Sequence, residues 1–244
     1  MKFIIVAFLL LFSCGCADKG AVGVPQVDED DFEAEFAVKE EFDPFRGYNR
    51  AMTAFNDAAF RYVLIPAADG YRKVVPKGAR MSIGHFFDNL FFPLRFANNL
   101  LQGKVVNALG ETGRFIINTT VGFLGFADVA DEIYGIKQHD EDFGQTLAVW
   151  GIPAGYHIVL PILGPSNMRD LAGAVVDYTV NPVDWKDWGV VDDYWQSTGI
   201  NAFRTLNGMA EFAPMYEAMT KDAIDLYPFM KNMYEQRREK LIKE

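Results

Sequence analysis

A chain of 244 residues that is 50% hydrophobic and 23% charged is globular in composition and long enough for one large domain or two small ones. Its net charge of −10 argues against nucleic acid as a partner, because phosphates call for Lys and Arg. The acidity is uneven: residues 18–43 carry ten acids against Lys19 and Lys39, and the rest is close to neutral.

Taken in chain order, Met1-Lys2 and the apolar run at 3–12 predict a signal peptide, since ten residues are too few to span a bilayer. Both cysteines, Cys14 and Cys16, close this segment, so no disulfide framework is available to the remainder. Leu11-Phe12-Ser13-Cys14 and Ser13-Cys14-Gly15-Cys16 each resemble the lipobox of bacterial lipoproteins, in which the cysteine becomes the acylated N-terminus. Either Cys14 or Cys16 is the lipidation site on this reading. Residues 17–42 mix Gly, Val, Pro and acids without periodicity and are expected to be a disordered, self-repelling tether.

A helical domain is expected over 43–244. Asp43 and Pro44 suit a helix start, and Phe45, Tyr48, Met52, Phe55, Ala59 and Tyr62 recur at helical spacing to about Leu64. Pro66 restarts a short helix through Val75, and Pro76-Lys77-Gly78 marks the next break. Residues 83–118 then form the most distinctive stretch. Phe86, Phe87, Leu90, Phe91, Phe92, Leu94, Phe96, Leu100 and Leu101 give a broad apolar face, while His85, Asp88, Asn89, Arg95, Asn98, Asn99 and Gln102 fall on the other side. Gln102-Gly103 breaks the pattern. A second amphipathic segment comes after it, with Lys104, Asn107, Glu111, Arg114 and Asn118 as its polar stripe. The expectation is an amphipathic hairpin lying in the membrane interface, its apolar face embedded and its polar stripe inward; so many polar groups fit hydrocarbon poorly, and a buried core hairpin is the plainer alternative.

Beyond Asn118 the chain reads as loop with a turn of helix near Asp128, then a short helix at 143–150 whose acidic start at 140–142 is expected to be solvated. Residues 158–163 are strand-like, but Pro161 argues against a paired strand. Ser166 is the expected cap of a helix at 167–180, and Asn181-Pro182 ends it. Trp185, Trp188 and Trp195 cluster in a segment that becomes helical near Asp192, and Pro214 and Pro228 predict three C-terminal helices in series. The fold class is mostly α.

Chemistry is scarce. No nucleophile elbow, phosphate loop or paired-His metal motif occurs, and His85, His139 and His157 lie on separate segments, so neither metal, cofactor nor catalytic residue is expected.

The motifs nevertheless have a pattern. Asp43-Pro44-Phe45-Arg46-Gly47-Tyr48-Asn49-Arg50 with Phe55-Asn56, Asn98-Asn99-Leu100-Leu101-Gln102-Gly103, and Arg114-Phe115-Ile116-Ile117-Asn118-Thr119-Thr120-Val121-Gly122 running on through Gly125-Phe126-Ala127-Asp128 stand in one order. Asp142-Phe143-Gly144-Gln145-Thr146-Leu147, Leu160-Pro161 and Arg169-Asp170 continue it. Together they resemble the MlaA (VacJ) lipoproteins from about Asp43 to the end of the chain.

That resemblance implies a single compact ring-like helical domain in the periplasmic leaflet of the outer membrane, around an amphipathic channel. It implies trimeric porins and a soluble periplasmic lipid-carrier protein as partners, and removal of phospholipids from the outer leaflet, which keeps the membrane asymmetric. Exposing about 30 acyl methylenes to water costs on the order of 20 kcal/mol at ~0.8 kcal/mol each, so such a protein must cover the tails and offer the head group a polar route. Lys104, Arg114, Arg169 and Asp170 are the expected lipid-path residues, and the loop with Gly122 and Gly125 the expected gate. A structural lipoprotein that scaffolds porins and moves nothing is the alternative.

Overall fold

The computed structural model describes residues 42–184 and 194–244, within which Asp43–Glu244 form one unit. The signal segment, Cys14, Cys16, the acidic stretch to residue 41, Trp185 and Trp188 lie outside the described residues.

Helix α1 (Arg46–Ala59) buries Asn49, Thr53 and Asn56, three polar residues on one face. Their partner is a strand edge. β1 (His157–Leu160) pairs antiparallel with β2 (Gly164–Asn167), with Val159 opposite Pro165. On its outer edge, away from β2, the Val159 N–H donates to Asn49 Oδ1 at 2.9 Å, and Asn49 Nδ2 donates to the His157 carbonyl at 3.1 Å. Asn56 repeats this two turns on, donating to the Leu160 carbonyl at 2.9 Å and accepting from the Ile162 N–H at 2.6 Å. The spacing fits: seven helical residues rise about 10.5 Å, and three strand residues span about 10 Å. Two asparagine amides thus cover an edge that would otherwise be open. The expected unpaired stretch at 158–163 is therefore paired through Leu160, because Pro161 falls in the turn and not in the strand.

Pro66 brings no break either. A π-helical turn (Phe60–Leu64) leads into α2 (Ile65–Val74), and the widened turn accommodates a residue without an N–H. The first limb of the hairpin divides. α3 (Lys77–Leu90) starts before residue 83 and stops at Phe91, and α4 (Phe92–Leu101) restarts with Pro93 in its first turn. After the turn at Gly103, α5 (Val105–Thr120) packs back along α4. The short α6 (Val129–Glu132) and α7 (Phe143–Val149) are capped by the side chains of Asp128 and Asp142. α8 (Met168–Thr179) is capped by Asn167, whose side chain accepts from the Asp170 N–H, where Ser166 was expected.

At the C-terminal end α9 (Tyr194–Thr220) runs unbroken through Pro214, and α10 (Leu226–Lys243) completes two helices in place of three. Pro214 is exposed, and Ala210, Ala213 and Tyr216 around it are buried. Packing on α2 holds the helix across the missing bond. That contact is an apolar core of Ile65, Ala68, Met209, Ala213 and Tyr216, with the Phe60 ring stacked on Tyr216 at 4.9 Å.

Candidate functional site: a polar seam inside an apolar exterior

Across the described residues, buried polar side chains outnumber buried apolar ones, and large apolar side chains are spread over the surface. The hairpin concentrates this inversion. Glu111 is wholly buried, its Oε2 accepting from Arg95 Nε at 2.7 Å and its Oε1 from the His139 N–H at 2.7 Å. Asn98 and Asn99 are buried beside it, and Asn98 Oδ1 accepts from Thr146 of α7 at 2.8 Å. On the opposite side of α5, Val106 is 81% exposed, and Val105, Leu109 and Ile116 are exposed as well. The polar stripe read from periodicity therefore faces the protein, and the apolar residues of α5 face out.

Arg114 continues the seam. It donates to Asp128 Oδ2 at 2.7 Å and to the Ile136 carbonyl, and Asn118 donates to Asp128 Oδ1 at 2.9 Å. Burial opposes ionisation of Asp128, but the hydrogen bonds from Arg114 and Asn118 outweigh it and hold the carboxyl below its usual range. Between α4 and α7, Lys104 Nζ meets Glu141 at 2.6 Å and Gln102 meets it at 2.7 Å. Asp140 is exposed, as expected of a solvated helix start, but Glu141 is buried and Asp142 is engaged in capping α7. Among the described residues, no cluster of His, Cys, Asp or Glu is placed to hold a metal ion.

Arg169 and Asp170 pair at 3.0 Å, both buried, and α10 closes over them. Arg238 reaches Asp170 at 2.8 Å and Asp142 at 2.5 Å, while Tyr234 donates to Asp170 at 2.5 Å. Burial works against charge at Asp142 and Asp170, yet Arg238 in both cases, with Tyr234 and Arg169 at Asp170, draws their carboxyls down. Tyr227 of the same helix reaches Asp43 and Asn49, so the beginning and end of the domain are fastened together. All four expected lipid-path residues are thus engaged by ion pairs: Lys104 and Arg114 line the hairpin seam, and Arg169 with Asp170 lies under α10.

The expected embedding residues divide in two. Phe87 and Phe91 are buried with Val183, and Phe86, Leu90 and Leu94 pack against that cluster. Phe92 stacks on Phe115 at 4.6 Å and lies 5.5 Å from Phe96. Only Leu100 and Leu101 of the nine are largely exposed, and the surface carries instead Val105, Val106, Leu109, Ile116 and the loop residues Phe123 and Leu124. That loop is pinned. A Cβ on Gly125, at φ +91°, would lie 2.4 Å from Asn89 Cβ, and one on Gly122 would lie 2.3 Å from the Ala127 carbonyl oxygen. Its glycines allow close contact with α3 and α5, which leaves Phe123 and Leu124 pointing out, while the Phe126 ring stacks on Phe86 at 4.9 Å.

Between α3, α4 and α5 lies a small polar recess, about 10 Å³, lined by His85, Asp88, Asn89, Arg95, Arg114 and Asn118 among others. It has room for about one water molecule. Asp88 is reached by solvent, yet desolvation by the surrounding protein raises its carboxyl pKa, against the opposing pull of Arg95. A group both wet and desolvated faces a concave, protein-walled space. Arg204 of α9 is within electrostatic reach of Asp88 and lies 3.9 Å from the centroid of the Phe91 ring.

The family model of the MlaA lipoproteins matches residues 41–241. The chain belongs to the MlaA lipoprotein family. It is 30% identical over 202 residues to the intermembrane phospholipid transport system lipoprotein MlaA of Escherichia coli K12, covering 81% of this chain and 77% of that one. The MlaA of Haemophilus influenzae is 39% identical over 142 residues, 57% of each chain, and an uncharacterized protein of Rickettsia typhi 28% over 245 residues, 98% of this chain and 94% of its own. A solved structure described as the structural basis for maintenance of bacterial outer membrane lipid asymmetry superposes with a TM-score of 0.71 at 27% identity, covering 83% of this chain and all of that one. The MlaA motifs read from the sequence include Asn49, Asn56, Asn98, Asn99, Arg114, Asn118, Asp128, Asp142, Gln145 and Asp170. Most of these are buried polar residues of the structure. What sequence reading missed are pairings across the seam: Glu111 with Arg95, Glu141 with Lys104, and Tyr234 and Arg238 with Asp170. Only the three- or four-residue recurrence of Glu111 within the stripe signals any of them.

Proposed function

We propose that the protein is an outer-membrane lipoprotein of a phospholipid-transport system, anchored in the periplasmic leaflet through acylated Cys14 or Cys16. It takes phospholipids from the outer leaflet and passes them to a periplasmic carrier, without catalysis, in company with trimeric porins. The observation that carries this reading is the inversion at the hairpin, where charges and amides are buried and Val106, Leu109 and Ile116 are exposed. In water alone such a surface is costly; against acyl chains it is favourable, at about 25 cal/mol per Å² of apolar area covered. Among the described residues no helix is long and apolar enough to cross a membrane, which suits a body lying in one leaflet.

On this reading α5, the end of α4 at Leu100 and Leu101, and the loop at 121–126 rest among the lipids, and the recess at Asp88 and Arg95, too small for a head group itself, lies beside the head-group path. Arg114 forms part of its wall, and the pairs at Lys104 and at Arg169 with Asp170 keep the surrounding frame in place. The test is complementation of a strain lacking the gene, with surface phosphatidylethanolamine labelled by a membrane-impermeant amine reagent. Wild-type protein should lower the label, and Val106→Glu with Leu109→Glu, made in equal amount, should not. If that double variant restores normal lipid levels, membrane embedding through α5 is wrong. If the gene's loss changes porin abundance but not surface lipid, the protein is a scaffold.

A further inference from the structure

A second cavity, about 160 Å³, lies away from the hairpin, where α1, the π-helical turn, the β-hairpin, α9 and α10 meet. Its walls are chiefly apolar: Phe60, Val159, Phe212, Tyr216 and Met230, with Leu163 at the rim, 80% exposed. The polar groups in the wall are already engaged. Thr53 donates to the Asn49 carbonyl, Asn56 is used at both ends by the β-hairpin, and the Tyr216 hydroxyl donates to Asp57. Nothing there invites a charged or strongly hydrogen-bonding ligand, and water would find few partners. A cavity of this size and lining matches those that take up a benzene-sized apolar guest, and left empty it forfeits dispersion contacts along its walls.

We infer that this cavity is a binding site for the end of one acyl chain, separate from the polar recess between α3 and α5. The inference rests on the reading that the protein handles phospholipid. The exposed Leu163 beside the opening gives a chain its entrance, and the β-hairpin held by Asn49 and Asn56 keeps that entrance in shape.

The experiment uses the full chain in phosphatidylethanolamine and phosphatidylglycerol vesicles. They contain either phosphatidylcholine bearing a diazirine at one chain end or a fatty acid bearing the same group. After illumination, labelled residues are located by peptide mass spectrometry. The expected label falls on Phe60, Phe212 and Met230 as well as on exposed residues such as Val106. Thr53→Leu, which narrows the cavity, and Leu163→Trp, which covers its rim, should each reduce the cavity label at least five-fold and leave the Val106 label unchanged. Label from phosphatidylcholine assigns the chain to intact phospholipid, and label from the fatty acid alone assigns it to a free chain. Absence of cavity label in the wild type, or label undiminished in both variants, overturns the site; should either variant misfold, the wild-type pattern alone decides. Surface phospholipid in the complemented strain is read separately, so cavity label with no effect of the gene on lipid levels removes the transport reading and leaves the site standing.

Discussion

The contact between α2 and α9 and the contact between α4 and α5 are built by opposite rules. In the first, Ile65, Ala68, Met209 and Ala213 are buried and much of the outer side of α9 is polar or small, as in a water-soluble protein. In the second, Arg95, Asn98, Asn99, Glu111 and Arg114 are buried and the aliphatic residues of α5 look outward. Apolar burial supplies the first contact with a non-directional driving force. The second cannot rely on it, so its specificity comes from directional bonds among charges and amides, each needing a partner. One chain therefore holds an apolar core and, beside it, a polar seam under an apolar exterior.

The largest effect should come from orphaning one member of the buried pair. Arg95→Leu leaves Glu111 charged and wholly enclosed, and chemical denaturation should show a loss of about 3–5 kcal/mol. Arg95→Met combined with Glu111→Leu should recover most of that loss, which would show that the seam's charges add specificity more than net stability. Next comes Arg238→Ala, which takes the cation from Asp142 and Asp170 and should cost about 1–3 kcal/mol. Both carboxyls have folded pKa values below their unfolded ones. Their contribution is therefore complete above the ordinary range near 3.9 and disappears only as pH falls through the depressed values. Melting curves from pH 7 downward should show a constant gap between wild type and Arg238→Ala to about pH 4, closing below it.

The apolar core should respond by cavity arithmetic alone, with Ile65→Val costing about 0.5–1.5 kcal/mol at every pH from 4 to 8. The smallest change is expected from Asp88→Asn. Asp88 has its pKa raised by desolvation, so its favourable contribution is present below the unfolded value and is lost as pH rises through the folded one. The variant should match wild type near pH 3.5 and melt slightly higher at pH 7.

How much of this is visible in the chain itself depends on the range of the interaction. The polar stripe on 83–118 is a local periodicity, and its inward direction follows from having so many amides and charges on one side. Prolines misled wherever tertiary contacts decided the outcome. Pro161 falls in a turn because Asn56 fixes Ile162, and Pro214 stays helical because Met209, Ala213 and Tyr216 are packed on α2. Phe87 and Phe91 read as membrane-facing by pattern, but Val183, nearly a hundred residues away, claims them for a core. Arg238 looks like one charge of a basic tail, and only the fold brings it to Asp142 and Asp170. Residues can be assigned to a face from sequence; whether that face is buried against protein or left exposed is settled by distant segments.

The inversion is tested most directly by depth measurements on the two regions in one experiment. Single cysteines at Val106 and at Glu217, both exposed, would be labelled with an environment-sensitive fluorophore in a background with Cys14→Ser and Cys16→Ser. The labelled proteins are then bound to phosphatidylglycerol-containing vesicles and quenched separately by aqueous iodide and by lipid-borne quencher. Position 106 should be shielded from iodide and quenched by lipid, with the reverse at position 217. Equal iodide access at both positions would contradict it.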